Sequence, residues 1–167
     1  MHKKLYGIGY QQLALGDFFR ILRKGGVQCV LDIRARSFSR RPEFRGYSLG
    51  KVCTENGLLY RHEPRLGIDK EIRASYLPNR REELFLVYKK VILPQARDLI
   101  DNICELIESR STVLLCYERE SHLCHRKVLG EVICDRVSAT YQELRNELHV
   151  AGLRTACVGE DVSSPVA

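Results

Sequence analysis

The chain opens with two short apolar runs separated by a segment of helical periodicity. Residues 4–8 form the first strand-like run, and residues 27–33 form a second that is apolar nearly throughout. Between them, apolar residues from 13 to 22 recur at close to helical spacing, and Gly25-Gly26 ends that pattern. A strand that is apolar on both faces is typical of a parallel sheet covered on both sides. The first 33 residues therefore predict a strand–helix–strand unit.

The alternation continues through the middle of the chain. Strands are predicted at residues 58–62 and 112–117, and helices at residues 49–56, 82–93, 95–109 and 124–136. Pro94 is expected to separate or kink the second and third of these helices. Residues 63–79 are long, polar and irregular, which predicts a loop of a length that is usually functional.

The pattern weakens towards the end of the chain. Residues 141–148 show weak helical periodicity, residues 153–158 are a candidate closing strand, and residues 159–167 are expected to form a mobile tail. Together these elements predict an α/β fold with three layers, in which a mostly parallel, Rossmann-like sheet of about four to five strands is flanked by helices. We expect a single domain over residues 1–158.

The composition indicates the net charge of the protein, the redox state of its cysteines and its expected location. The 167 residues include seven cysteines and carry a formal net charge of +6. The odd number and irregular spacing of the cysteines indicate reduced, buried thiols rather than a disulfide framework. No signal-peptide pattern and no apolar run of membrane-spanning length is present, which predicts a cytoplasmic protein without a membrane partner. The sequence leaves the oligomeric state open.

The positive charge is concentrated in one predicted loop, which contains Arg34, Arg36, Arg40, Arg41 and Arg45. Guanidinium groups bind phosphate or carboxylate through two hydrogen bonds at once, and Ser39 adds a hydroxyl. Aromatic residues are interleaved with these cations, as recognition of nucleobases would require: Tyr10, Phe38, Phe44 and Tyr47. The alternative interpretation is a solvated basic surface whose rings anchor the loop to the core.

The densest group of reactive side chains follows the predicted strand 112–117. Glu118, Cys124, His125 and Arg126 are expected at the carboxyl edge of the sheet, where open α/β folds bind ligands. Glu118 is a candidate acid, base or nucleophile, or it pairs structurally with Arg34 or Arg126. Cys124, at a helix N-terminus beside cations, is a candidate nucleophile, and a buried structural thiol is the alternative.

Familiar cysteine enzymes are excluded by spacing. A cysteine phosphatase loop requires an arginine six residues after the cysteine, and the residue six positions after Cys116 is His122. A rhodanese-type loop does not fit either, because Cys116 has the wrong spacing and Cys124 is followed by Arg126 only two residues later.

The same stretch is a candidate metal site, because it supplies sulfur, nitrogen and oxygen donors of the kinds that zinc accepts: Cys116, Glu118, His122, Cys124 and His125. Their spacing matches no recognised metal motif, and His125 could instead use its ring nitrogens for hydrogen bonds. We therefore predict no metal and no cofactor, with zinc as the alternative.

Several segments in the same order resemble the domain-of-unknown-function family 488. They are Tyr6-Gly7-Ile8-Gly9, Val30-Leu31-Asp32-Ile33-Arg34, Ser39-Arg40-Arg41-Pro42-Glu43-Phe44, Gly57-Leu58-Leu59-Tyr60, Leu66-Gly67, Leu114-Leu115-Cys116-Tyr117-Glu118 and Cys124-His125-Arg126. The resemblance covers residues 4–137 and implies a compact three-layer α/β domain with these motifs at one sheet edge. It implies no established reaction. Leu66-Gly67-Ile68 departs from the Leu-Gly-Gly usual in the family, and the chain beyond Val137 is longer and less regular.

The resemblance also implies a set of site residues: Arg34, Ser39, Arg40, Glu118, Cys124, His125 and Arg126. Our leading hypothesis is a hydrolase or transferase that acts on a nucleotide, nucleoside or nucleic acid. Glu118 would be its first catalytic candidate, followed by Cys124 and His125, while Arg34, Ser39, Arg40, Arg126 and Tyr10 would bind substrate or anion. The rival hypotheses are a non-catalytic module that binds a phosphate-bearing small molecule or nucleic acid, and a purely structural corner.

Overall fold

The computed structural model describes residues 4–145 and contains one five-stranded sheet with the strand order β3-β2-β4-β1-β5. All four strand pairings are parallel. The strands are β1 (Lys4–Gly9), β2 (Cys29–Asp32), β3 (Leu59–His62), β4 (Thr112–Cys116) and β5 (Thr140–Glu143). The predicted α/β fold with a parallel, Rossmann-like sheet is confirmed.

Helices connect the strands, as parallel pairing requires. They are α1 (Leu15–Lys24), α2 (Gly46–Glu55), α3 (Lys70–Tyr76), α4 (Arg81–Val87), α5 (Leu93–Gln95), α6 (Arg97–Ser109) and α7 (His125–Val137). A π-helical turn, Tyr88–Ile92, joins α4 to α5. The break predicted at Pro94 falls two residues later, because Pro94 lies within α5 and Ala96 separates α5 from α6. Within residues 4–145, no helix is long and apolar enough to cross a membrane.

The sheet separates two hydrophobic cores, which makes three layers. On β4, Val113 and Leu115 face the core formed with α1 and α2, whereas Leu114 and Cys116 face the core formed with α6 and α7. This alternation is the two-residue period of a strand buried on both faces. It explains why β4 reads as a continuous apolar run rather than as an alternating one.

Two segments differ from the sequence-based expectation. Residues 140–143 form strand β5, although the sequence shows weak helical periodicity from residue 141, because they pair in parallel with β1 at the sheet edge. Residues 63–79, predicted to be irregular, contain a 3-10 turn at Pro64–Leu66 and helix α3. The predicted closing strand at 153–158 and the predicted tail at 159–167 lie outside the described residues.

The connections define a crevice at the carboxyl edge of the sheet. The loop after β1 leads to α1 on one face, and the loop after the adjacent β4 leads to α7 on the other face. Such a reversal leaves an opening between the diverging loops, which is where ligands bind in open α/β sheets. Gly9 of β1 pairs with Cys116 of β4, so the ends of the two strands lie level with each other.

Candidate active site

A cavity of about 480 Å³ opens at this edge of the sheet, between the ends of β1, β2 and β4. Six cationic side chains line it: Arg34, Arg36, Arg40, Arg41, Lys70 and Arg73. Among residues 4–145, no carboxylate belongs to the lining. The remaining lining residues are apolar, aromatic or small polar ones, and they include Cys116 at the end of β4.

Arg34 is a fixed part of the cavity wall. Its side chain is buried, and its Nε and Nη2 donate to the two carboxylate oxygens of Asp32 at 2.7 and 2.5 Å. Its Nη1 donates to the Tyr10 hydroxyl and to the Phe44 carbonyl oxygen, both at 3.0 Å. Tyr60 donates a further hydrogen bond to Asp32 at 2.6 Å. A paired, hydrogen-bonded guanidinium is the form in which a buried charge is tolerated.

The other cations differ in how far their charge is already neutralised. Arg41 pairs with Glu43 at 2.7 Å, and Arg73 lies 3.7 Å from Glu118. Within residues 4–145, no carboxylate lies within ion-pair distance of the three remaining cations, which are Arg36, Arg40 and Lys70. These three side chains therefore give the cavity its uncompensated positive charge.

Aromatic rings line one side of the cavity. Tyr10 stacks on the buried Phe44 with ring centroids 4.5 Å apart and an interplanar angle of 13°. Tyr117 meets Tyr10 edge-on at 5.4 Å. Two rings at the cavity remain open to solvent, Phe38 with 69% and Tyr117 with 46% of its surface exposed. An exposed ring beside cations is the arrangement on which nucleobases stack.

A buried cluster of two thiols and an imidazole adjoins the cavity at Cys116. The donor atoms of Cys116, Cys124 and His125 all lie within 4.8 Å of one another. The Cys116 Sγ is 3.9 Å from His125 Nδ1, and the Cys116 thiol donates to Glu118 Oε2 at 3.2 Å. The other ring nitrogen, His125 Nε2, is 3.3 Å from the carbonyl oxygen of Ile33. A carbonyl only accepts, so Nε2 carries the proton and Nδ1 faces the sulfurs.

The surroundings shift the pKa values of Glu118 and Cys124 in opposite directions. Burial alone would raise the pKa of Glu118, but hydrogen bonds from its own backbone and from Cys124, with the charge of His125, lower that pKa overall. Burial raises the pKa of the Cys124 thiol well above its usual value, and the neighbouring Cys116 adds to the rise. Glu118 is therefore a carboxylate at neutral pH, and in the metal-free cluster Cys124 is a thiol rather than a free thiolate.

Arg126 lies outside the cavity lining. Its side chain is fully buried, and its Nη2 pairs with Glu143 of β5 at 3.0 Å. Its Nη1 and Nη2 also donate to the carbonyl oxygens of Glu118 and Arg119, at 2.5 and 3.0 Å. These contacts tie the loop after β4 to the edge strand. Arg126 is therefore hydrogen-bonded within the corner and is not among the residues that line the cavity; its expected role in anion binding stays a prediction.

The other predicted site residues are placed as follows. Tyr10, Arg34, Ser39 and Arg40 all line the cavity, and the buried Ser39 accepts a hydrogen bond from the backbone of Arg41 at 3.1 Å. Glu118, Cys124 and His125 lie together beside the cavity, next to Cys116, and are not part of its lining.

The sequence-based site set omits Lys70, Arg73 and Cys116. Lys70 and Arg73 lie on α3, in the stretch predicted to be irregular, and their spacing of three residues is the one available signal that they share a helix face. Cys116 entered the sequence argument through the phosphatase, rhodanese and metal patterns and through the family resemblance, but it was not named as a site residue, although it ends the observed strand β4.

The fold and the site together place the protein in a structural class: it is an α/β protein with a basic cavity beside a thiol–imidazole cluster. The chain belongs to the family described as domain of unknown function DUF488, whose model matches residues 14–133. The predicted family resemblance is therefore confirmed. Comparison with curated proteins and with solved structures found no match.

Proposed function

We propose that this protein binds a nucleotide or a segment of nucleic acid in the basic cavity and acts on it as a hydrolase or transferase. The observation that carries the proposal is the set of three uncompensated cations, Arg36, Arg40 and Lys70, in a cavity at the carboxyl edge of the sheet. Phosphate is the natural counterpart of such a cluster, because guanidinium and ammonium groups donate several charge-assisted hydrogen bonds to its oxygens.

The aromatic rings favour a nucleotide over a simple phosphate ester. Phe38 and Tyr117 present open ring surfaces at the cavity, and the cation of Arg45 lies 5.3 Å from the Phe38 ring centroid. Base stacking on such a ring contributes about 1–3 kcal/mol and tolerates any base. We infer that the cations hold the phosphate while Phe38 or Tyr117 stacks on the base.

Glu118 is the first candidate for the chemical step. The pKa of its carboxyl is lowered, despite burial, by hydrogen bonds and by the charge of His125, so the group is ionised at neutral pH and can act as a base or nucleophile but not as an acid. Two of its contacts, Cys116 and Arg73, belong to the cavity lining, so the carboxylate would lie beside a ligand bound there. We propose Glu118 as a general base or nucleophile, with Cys124 and His125 in supporting positions.

The binding step is tested by titrating the purified protein with inorganic phosphate, a nucleoside monophosphate and a short single-stranded oligonucleotide, using calorimetry at low salt. Replacing two uncompensated cations, Arg40→Gln with Lys70→Gln, is expected to weaken nucleotide binding at least about tenfold, the equivalent of about 1.4 kcal/mol. The matched control is Lys89→Gln with Lys90→Gln, which removes the same charge at two exposed positions outside the cavity. Equal affinities of the two double variants would contradict the proposal.

The proposal that Phe38 stacks on a base is tested separately with Phe38→Ala. This variant is expected to lose about 1–3 kcal/mol in binding an oligonucleotide and to bind inorganic phosphate as the unmodified protein does. The exposed Tyr47, which lies outside this cavity, provides the control variant Tyr47→Ala. A loss of phosphate binding in Phe38→Ala would instead indicate that the ring supports the arginine loop.

A non-catalytic binding module remains the second candidate, and one observation favours it: Cys124 and His125 are almost completely buried and so have no direct access to a ligand. The turnover assay separates the two. For an enzyme, Glu118→Gln is expected to lower kcat by about 10²–10⁴-fold, the usual contribution of a positioned base, with nucleotide binding retained. Tight binding without conversion of any tested nucleotide or oligonucleotide by the unmodified protein would support the module.

A further inference from the structure

We infer that Cys116, Cys124 and His125 form a binding site for a zinc ion, with a fourth coordination position directed towards Glu118 and the cavity. The sequence predicts no metal, because these donors match no recognised spacing. The fold supplies what the spacing lacks: Cys116 ends β4, Cys124 precedes α7, and His125 begins it. The 3-10 turn Ser121–Leu123 brings the chain back so that the three donors converge.

The distances fit a tetrahedral ion. Zinc–sulfur bonds of about 2.3 Å and zinc–nitrogen bonds of about 2.0 Å place two ligands of one ion about 3.5–3.8 Å apart. The Cys116 Sγ lies 3.9 Å from His125 Nδ1, and all three donor atoms lie within 4.8 Å of one another. The donor atoms therefore need to approach one another by only about 1 Å to surround an ion.

The surroundings of His125 are those of a metal ligand. Histidine ligands usually donate their second ring N–H to a backbone carbonyl or a carboxylate, which fixes the tautomer and aims the other nitrogen at the ion. Here His125 Nε2 faces the Ile33 carbonyl oxygen at 3.3 Å and Nδ1 faces the sulfurs. The buried ring of Tyr88 packs edge-on against the imidazole, with centroids 5.2 Å apart, so the ring has little freedom to turn.

The donor set selects zinc and leaves room for chemistry. Two thiolates and one imidazole suit Zn²⁺, and three protein ligands with an open fourth position are characteristic of catalytic rather than structural sites. Zinc binding would release the thiol protons, and Glu118 Oε2, which accepts from the Cys116 thiol at 3.2 Å before the ion binds, would then be free to accept a hydrogen bond from water at that fourth position. This last role rests on the proposed function, whereas the metal site itself does not.

The experiment is a metal titration of the full chain, freed of metal by a chelator under reducing conditions, with Zn²⁺ or Co²⁺ and no nucleotide present. We expect one ion per chain, a rise in melting temperature with Zn²⁺, and a thiolate-to-cobalt charge-transfer band with the visible spectrum of tetrahedral Co²⁺. Cys116→Ser and Cys124→Ser should each lower the affinity at least about 100-fold and weaken the band. Cys53→Ala, a buried cysteine of the other core, should change neither.

Several results would overturn the assignment. One is a wild-type protein that takes up less than one ion or shows no charge-transfer band, and this result does not depend on whether any variant folds. Another is an unchanged band in folded Cys116→Ser or Cys124→Ser, and a third is loss of the band in Glu118→Gln, which would make the carboxylate a ligand. Because the titration contains no phosphate ligand, its failure leaves nucleotide binding by the cavity as a separate question.

Discussion

Two buried arginines show how the same residue type serves different ends in this molecule. Arg34 and Arg126 are both almost or fully buried, and each is held by a carboxylate, Asp32 or Glu143. Arg34 lines the cavity, whereas the donors of Arg126 are used by Glu143 and by two carbonyl oxygens of the loop after β4. Position in the sequence does not separate these roles, because both arginines follow a buried strand.

Removing Arg126 is expected to destabilise the fold more than any exposed arginine does. Arg126→Ala leaves two loop carbonyls without this donor and leaves the Glu143 carboxylate with its hydrogen bond from Tyr141 but without its ion pair, and breaking a buried pair costs about 3–5 kcal/mol. Urea unfolding of the variant measures this loss, with Arg23→Ala on the exposed side of α1 as the control. A loss below about 1 kcal/mol would show that the corner does not depend on this pair.

Two glycines are expected to respond to alanine with opposite signs. A Cβ on Gly9 would overlap the backbone oxygen of Glu118, so the loop that carries Glu118 must move. Overpacking of this kind costs about 1–3 kcal/mol. Gly16 lies in α1, and a Cβ there would meet no atom of residues 4–145 within 4 Å, so Gly16→Ala should be neutral or stabilise by up to about 1 kcal/mol. Thermal unfolding of both variants measures the difference, and equal effects would contradict it.

At the scale of helices and strands, the sequence predicts those elements that have a clear apolar pattern of their own. Strands β1, β2 and β4 are buried on both faces and therefore stand out as apolar runs. Helix α3 has only seven residues, none of them fully buried, and β5 is a four-residue edge strand with polar positions. Both depend on distant partners, β5 on its pairing with β1 and α3 on packing of Ile72 and Tyr76 against the core. Local periodicity cannot report such contacts.

The residues of the candidate site likewise fall into two groups, those that the sequence pattern predicts and those that only the fold brings together. Arg34, Ser39 and Arg40 are predictable because they follow a strand in one basic loop. The convergence of His125 with the Ile33 carbonyl joins positions 92 residues apart, which only the strand order reveals. For the same reason, Lys70 and Arg73 enter the cavity lining from an element that the sequence pattern does not indicate.

The turn before α3 is tied to α6 by an ion pair with a defined pH dependence. Arg65 donates to both carboxylate oxygens of Asp98, at 2.8 and 2.7 Å, and the pKa of Asp98 falls to about 2, chiefly through hydrogen bonding to Arg65. A depressed pKa stabilises the folded state above the unfolded value of 3.8, and that contribution is lost as the pH falls towards 2. Asp98→Asn should therefore be slightly less stable at pH 7, with the difference shrinking below pH 4; urea midpoints across this range measure it.

For the whole molecule, charge placement matters more than net charge. The chain carries +6 overall, but within residues 4–145 most arginines, buried and exposed together, are engaged with carboxylates in pairs such as Arg80 with Glu83 and Arg136 with Asp101. The uncompensated cations of the cavity lie together on one edge. A polyanion is therefore expected to bind at that edge rather than over the whole surface.

This localisation makes the salt dependence of oligonucleotide binding a test of where the ligand lies. Each phosphate neutralised on a single strand contributes about 0.7 to the slope of log K against log salt, so three free cations predict a slope of about −2. Arg40→Gln with Lys70→Gln should reduce it to about −0.7, and the control Lys89→Gln with Lys90→Gln should leave it unchanged. Fluorescence anisotropy at several salt concentrations measures all three slopes. If both double variants lowered the slope equally, the oligonucleotide would bind through the general surface charge, and the proposal that it binds in the cavity would be wrong.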